Sequence, residues 1–389
     1  MKPRMSARVT ALVLPPFDVL NQKAAALRER GHGVISLGQA VPGFGPPAAA
    51  LDAARRALSD PASHRYSADA GRLSLREALS DVLRREHAID ASPDELIVTA
   101  GGNQAFMLAA MTLLDPGDDV VLVSPYFVNH EMAIRAVGAT PIEAPLQERH
   151  SFSARWEDIA GRITPRTRAV VLCTPSNPTG AIVGADELAR IVRELSGRGI
   201  SLVSDETYLH FVYSGSHTSA ASFDGWRETV VVVGTFSKSF GMTGWRAGFL
   251  IAAGEVCTQA MKIQDAMIIC APVISQIAAE AAVRDNWNYA RSFHGDLRSR
   301  RAALEASLAP IPRLRWSAAA GGFFLFARVE GCRDSVALAN EILERVHVVT
   351  IPGATFGRAG EGFLRLSYGA SSIEELTEAG GRLRSFFAS

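Results

Sequence analysis

Between residues 95 and 251, short apolar runs alternate with segments of helical period, and this alternation constrains the fold more than any other feature. Apolar runs at 96–99, 120–123, 169–173, 202–204, 230–233 and 247–251 fit buried strands. Helical periodicity fits 104–114, 131–137 and 186–198. Strands that alternate with helices predict an α/β fold, a three-layer sandwich around a mostly parallel central sheet. Ligands of such sheets bind beyond the carboxyl ends of the strands, so chemistry is sought there.

The flanks read differently. Helices are expected at 17–30, 48–58 and 73–86, with a short strand at 34–37. After Cys270 the pattern changes. A long helix is expected at 289–308, then strands at 323–327 and 363–367 alternating with helices at 336–346 and 373–387. This predicts a large domain over 46–285 and a smaller α+β domain formed by 1–45 with 286–389.

Composition excludes several classes. Forty basic residues balance forty acidic ones, so no electrostatic footprint for nucleic acid or an anionic membrane is expected. The four cysteines are scattered without C-x-x-C spacing, which argues against a zinc site or disulfide framework and for a reducing, cytoplasmic compartment. The run Val9–Leu14 after Lys2, Arg4 and Arg8 could imitate a signal peptide, but Pro15 and Pro16 end it early. No stretch approaches the ~18 apolar residues of a membrane span.

The strand ends carry the chemistry. Thr99-Ala100-Gly101-Gly102-Asn103-Gln104 joins a strand to a helix, where free N–H groups and the dipole favour an anion. By itself it reads first as a tight strand-to-helix turn. Tyr126-Phe127 offers an aromatic that could stack on a flat ring or simply pack. Asn177, between Pro175 and Pro178, presents an amide. Asp205 ends an apolar strand, where a carboxylate needs a partner or caps a helix. Lys238 follows the next strand among Thr235, Ser237, Ser239 and Gly241, with Arg246 beyond. A lysine there can form a Schiff base with a carbonyl while the hydroxyls and guanidinium hold a phosphate. Arg365 interrupts the last apolar strand and requires a carboxylate, from a ligand or from a structural salt bridge.

Three motifs, Ser176-Asn177-Pro178-Thr179-Gly180, Ser204-Asp205-Glu206-Thr207-Tyr208 and Ser237-Lys238 through Trp245-Arg246, resemble in order and spacing the class I/II aminotransferases, fold-type I pyridoxal-phosphate enzymes. The resemblance covers almost the whole chain. It implies pyridoxal 5'-phosphate as cofactor, attached to Lys238, which then moves a proton. It implies that Asp205 pairs with the ring nitrogen, that Tyr208 and Asn177 bond the phenolic oxygen, and that Phe127 stacks on the ring, with Tyr126 as the register alternative. Gly102, Asn103, Gln104, Thr235, Ser237 and Arg246 would hold the phosphate. Tyr66 would reach the phosphate of the neighbouring subunit of a homodimer. Arg365, assisted by Asn177 and the backbone at Gly38, would clamp the substrate α-carboxylate. The partners implied are an amino acid and a 2-oxo acid, with no metal.

Dicarboxylate-specific members of that family place a second arginine, from the partner chain, where Ala266 falls here. Phe17, Phe323, Ile268 and Ile269 are expected pocket walls, which predicts a neutral amino acid, aromatic or large aliphatic. A shift of one residue would bring Asp265 to the pocket and favour a cation instead. Two alternatives share the scaffold: a lyase, oxidase or cyclase acting on an amino acid, and the aminotransferase-like sensor domain of certain regulators. The latter follows a DNA-binding domain, for which this chain has no room.

Overall fold

A computed structural model describes residues 3–388. Seven strands form the central sheet in the order Leu96–Thr99, Gly248–Ile251, Val230–Thr235, Ser201–Asp205, Thr167–Cys173, Asp119–Ser124, Thr140–Pro145. Gly248–Ile251 runs antiparallel to both neighbours and the remaining pairs are parallel.

Alternate residues of each strand point to opposite faces, and both faces are apolar. Val98, Val121, Val170, Leu202 and Val232 pack into one core with side chains of the helices Ala48–Ala57, Leu73–His87, Ala185–Ser196 and Val273–Asn286. Ile97, Val120, Val171, Val203, Val231 and Leu250 pack into another with those of Gly102–Leu113, Val128–Ala136 and Gly254–Ile268. The sheet is therefore the middle of three layers, the α/β sandwich that the alternation predicts.

A second, antiparallel sheet has the order Ile351–Pro352, Phe363–Ser367, Phe324–Val329, Leu314–Trp316. Its core takes in residues of the helices His294–Leu308, Ser335–Val346 and Ile373–Ala388. Ile35–Ser36 pairs in parallel with Val348–Val349, which ties the first residues to this part of the chain.

Periodicity misses several elements. Thr140–Pro145 contains two prolines and survives as a strand because it lies at the sheet edge. Gly254–Ile268 and Val273–Asn286 are both helical, separated by a short break ending in Pro272. Residues 289–308 are not one α-helix: Tyr289–Phe293 is a 3-10 turn and the α-helix starts at His294. Among the described residues no helix is long and apolar enough to cross a membrane, and no group of three or more His, Cys, Asp or Glu could hold a metal ion.

Candidate active site

The carboxyl ends of the parallel strands open into a cavity of about 350 Å³ between the two sheets. Lys238 enters it from the short helix Phe236–Ser239, whose N-cap Thr235 accepts the Ser237 N–H through Oγ1 at 3.1 Å. The strand ends at Thr235 because that hydroxyl replaces a ladder partner with a helix cap. Lys238 Nζ donates to the Ala40 carbonyl at 2.7 Å. Burial, then the charges of Arg365 and Arg246, pull its ammonium down to about 8, against the pull of Asp205 in the other direction.

Asp205 closes the adjacent strand and is buried. Burial alone would raise its carboxyl. The Nε2 of His130 at 3.0 Å and the Thr207 N–H at 3.0 Å outweigh that and hold it below the ordinary carboxylate range. His130 stacks on Phe106 with centroids 4.2 Å apart, so its ring is fixed from the side as well.

Arg365 lies in a middle strand of the second sheet, opposite Phe326 and Ile351, and is 2% exposed. It donates through Nη1 to Asn177 Oδ1 at 2.8 Å and through Nη2 to the Gly38 carbonyl. The rings of Phe17, Phe324 and Phe356 surround the guanidinium with centroids 5.0–5.8 Å away. Both hydrogen-bond acceptors are neutral, so this is not a structural salt bridge. Burial lowers the guanidinium to about 10, which leaves it charged at neutral pH. A buried cation without an anionic partner is costly, and a carboxylate entering the cavity would relieve that cost.

The other expected residues fall into place unevenly. Gly102, Asn103, Phe127, Asn177, Tyr208, Thr235, Ser237 and Arg246 all line the cavity. Phe127 lines it while Tyr126 turns into the core and donates to Glu131 Oε2 at 2.8 Å, which resolves the register alternative. Gln104 does not line it; its Oε1 accepts from the Ala100 N–H, and it braces the turn from behind. Tyr66 is 77% exposed and away from this cavity. Phe17 is a wall, but Phe323 is not: it is buried in the core against Tyr208 and Phe211. Asp265 and Ala266 are exposed on the helix Gly254–Ile268, and neither they nor Ile268 and Ile269 line the cavity of their own chain, as befits positions expected to serve a neighbouring subunit's pocket.

Sequence reasoning did not find His130, Ala40, Asp18 or Asn21. His130 lies three residues after Phe127, one turn along the same helix, and that spacing was the available signal. Ala40 acts through its carbonyl and leaves no signal in a side chain.

The residues fit pyridoxal phosphate at each of its poles. The first turn of Gly102–Leu113 leaves N–H groups unpaired beside Thr235, Ser237 and Arg246, a donor set suited to a phosphate. A Cβ on Gly101 would lie 2.4 Å from Arg246 Nη2, so only glycine lets that guanidinium approach the turn. Asp205 offers a buried anion to a protonated ring nitrogen, and Lys238 an amine to an aldehyde.

The family model for aminotransferase class I and II matches residues 32–383. A probable aspartate/prephenate aminotransferase from Aquifex aeolicus is 34% identical over 99% of this chain and 98% of its own. An aromatic-amino-acid aminotransferase 2 from Thermococcus litoralis is 34% identical over 90% of this chain and 91% of its own. The solved aspartate aminotransferase from Thermus thermophilus with maleate superposes with a TM-score of 0.92 at 33% identity, over 99% of this chain and all of that one. Fold, cavity and sequence thus agree, and the chain belongs to the class I and II aminotransferases, enzymes that are generally dependent on pyridoxal phosphate.

Proposed function

We propose that this cavity binds pyridoxal 5'-phosphate and exchanges the amino group between an L-amino acid and a 2-oxo acid in two half-reactions. The observation that carries the reading is the buried Arg365, held by neutral acceptors beside a lysine pulled down to about 8. When bound, the cofactor supplies an electron sink for the bond broken at the substrate Cα.

Arg365 takes the α-carboxylate bidentately, with the Asn177 amide and the Gly38 carbonyl fixing the plane of the guanidinium. That fixes the Cα–H for cleavage. Lys238 Nζ would hold the cofactor, and its free amine would take the Cα proton as general base. A pKa of about 8 suits that task, because a sizeable share of the amine is neutral near neutral pH. Asp205 keeps a proton on the ring nitrogen, and His130 keeps Asp205 ionised and in place. Asn177 Oδ1 is taken by Arg365, so its Nδ2 is left, with the Tyr208 hydroxyl, to donate to the phenolic oxygen. Phe127 stacks on the ring. Gly102, Asn103, Thr235, Ser237 and Arg246 hold the phosphate.

The large unit is 46–285 and the small one 1–45 with 286–389. Packing of Val273–Asn286 against Ala48–Ala57 and pairing of Ile35–Ser36 with Val348–Val349 support that division. The active unit is a homodimer, in which Tyr66 serves the partner's phosphate. Four free cysteines favour the cytoplasm. Lining cations other than Lys238, Arg246 and Arg365 are absent among the described residues, which disfavours a dicarboxylate and favours a side chain that packs on Phe17 and Val41.

The experiment is an assay of the holoenzyme with a panel of amino acids and 2-oxo acids, reading new amino acid and ammonia separately. Amino transfer without ammonia is expected, and Lys238→Ala should lose nearly all of it. Ammonia release as the main outcome would instead mark a lyase or oxidase.

A further inference from the structure

Five Asp, Glu, Lys or Arg side chains line the cavity: Asp18, Asp205, Lys238, Arg246 and Arg365. The reaction proposed above uses four of them. Asp18 is the fifth; it is solvent-exposed at the cavity rim, and among the described residues no hydrogen bond or ion pair engages its carboxylate. Asn21, three residues on and so on the same face of the helix Phe17–Glu29, also lines the cavity with its amide unpaired. The helix dipole accounts for an acid in the first turn. It does not account for both polar side chains facing the cavity.

The order along this helix matters. Phe17 lies over Arg365 at 5.8 Å, next to the place for the α-carboxylate. A substrate anchored there meets an apolar ring first and two hydrogen-bond acceptors next. We propose that Asp18, with Asn21, sets specificity at the substrate side chain, selecting an amino acid whose apolar stem ends in a hydrogen-bond donor, an ammonium above all. A second carboxylate is repelled at the same place. The inference rests on the aminotransferase reading for the position of the substrate. It gives cation preference a source within the chain's own cavity, at Asp18.

The test compares ligands that lack an α-amino group, on holoenzyme whose cofactor is in the aminated, pyridoxamine form, with which no ligand amine can condense. Hexanoate and 6-aminohexanoate share a carboxylate and a stem and differ only in the terminal ammonium. Calorimetric titration of the holoenzyme should find 6-aminohexanoate about tenfold tighter, the scale of one charge-assisted hydrogen bond. Asp18→Asn should bring the two affinities together, and Asn21→Leu should lower the ratio in part; the melting temperature of each variant checks its fold. Equal or tighter binding of hexanoate by the wild type, binding of neither ligand, or a ratio that survives in Asp18→Asn would each overturn the proposal. Turnover of lysine against norleucine should follow the same ratio. A holoenzyme that transfers no amino group yet keeps the binding ratio would refute the reaction while leaving the Asp18 subsite standing.

Discussion

Lys238 is half-buried and Arg365 buried, and the cavity treats these two cations oppositely. Lys238 is pulled down to about 8 by burial and by two neighbouring guanidinium groups. The neutral amine is the nucleophile, so it accumulates as pH rises through that value. Acylation of Lys238 in cofactor-free protein, followed by mass spectrometry, should climb through about pH 8. A climb only near the ordinary 10.5 would show that the cavity does not strip the proton. Arg365 stays charged and lacks an anion. Arg365→Ala should therefore raise KM for amino and oxo acids alike, by about 2–5 kcal/mol for truncation of one partner of a desolvated charged pair. Normal saturation with lost cofactor would make Arg365 a residue of the fold. Both residues were legible in the sequence, because a charge inside or just after an apolar strand needs a reason to be there. Phe323 was misread by the same logic: its apolar character fits a wall or a core, and packing against Tyr208 and Phe211 makes it core.

The site is assembled from strand ends, and close backbone approach holds those ends together. A Cβ on Gly248 would lie 2.6 Å from Gly101 C and 2.8 Å from Gly102 N, backbone atoms that cannot rotate away. The antiparallel strand Gly248–Ile251 thus seats the N-terminus of the helix Gly102–Leu113. Gly248→Ala should displace that helix end and weaken pyridoxal-phosphate binding at least tenfold, read by titration of the cofactor-free protein. Unchanged affinity would remove the helix end from the phosphate site. Elements with strong periodicity were legible, including every strand that runs parallel in the middle of the sheet. The edge strand Leu96–Thr99 was legible too, but the edge strands Thr140–Pro145, Leu314–Trp316 and Ile351–Pro352 and the helices separated by a short break were not, because their boundaries depend on which neighbour is present rather than on local pattern.

At the scale of the whole molecule, the cavity is separate from the exposed Tyr66 of the same chain. A dimer in which Tyr66 completes the partner's site predicts subunit complementation. Lys238→Ala and Tyr66→Ala should each be impaired, and refolding the two together should recover activity. In the hybrid, one of the two sites then has both the lysine and the tyrosine intact. Sites built from a single chain would give no recovery. Sedimentation of the active protein as a monomer would also exclude the shared site.

The sequence by itself determined the layer architecture, through alternating apolar period, and the chemical types at the strand ends. Lys238, Asp205, Asn177 and Arg365 were named there because each is a polar group within or just beyond an apolar run. Only the tertiary structure decided which groups meet. Residues 188 apart join when Arg365 reaches Asn177, and the Ala40 carbonyl comes 198 residues to receive Lys238. That Phe127 rather than Tyr126 lines the cavity was likewise decided by which side of an element faces it. The physical reason is that local pattern fixes the period of burial, whereas packing between distant elements fixes what each buried or cavity-facing side chain touches.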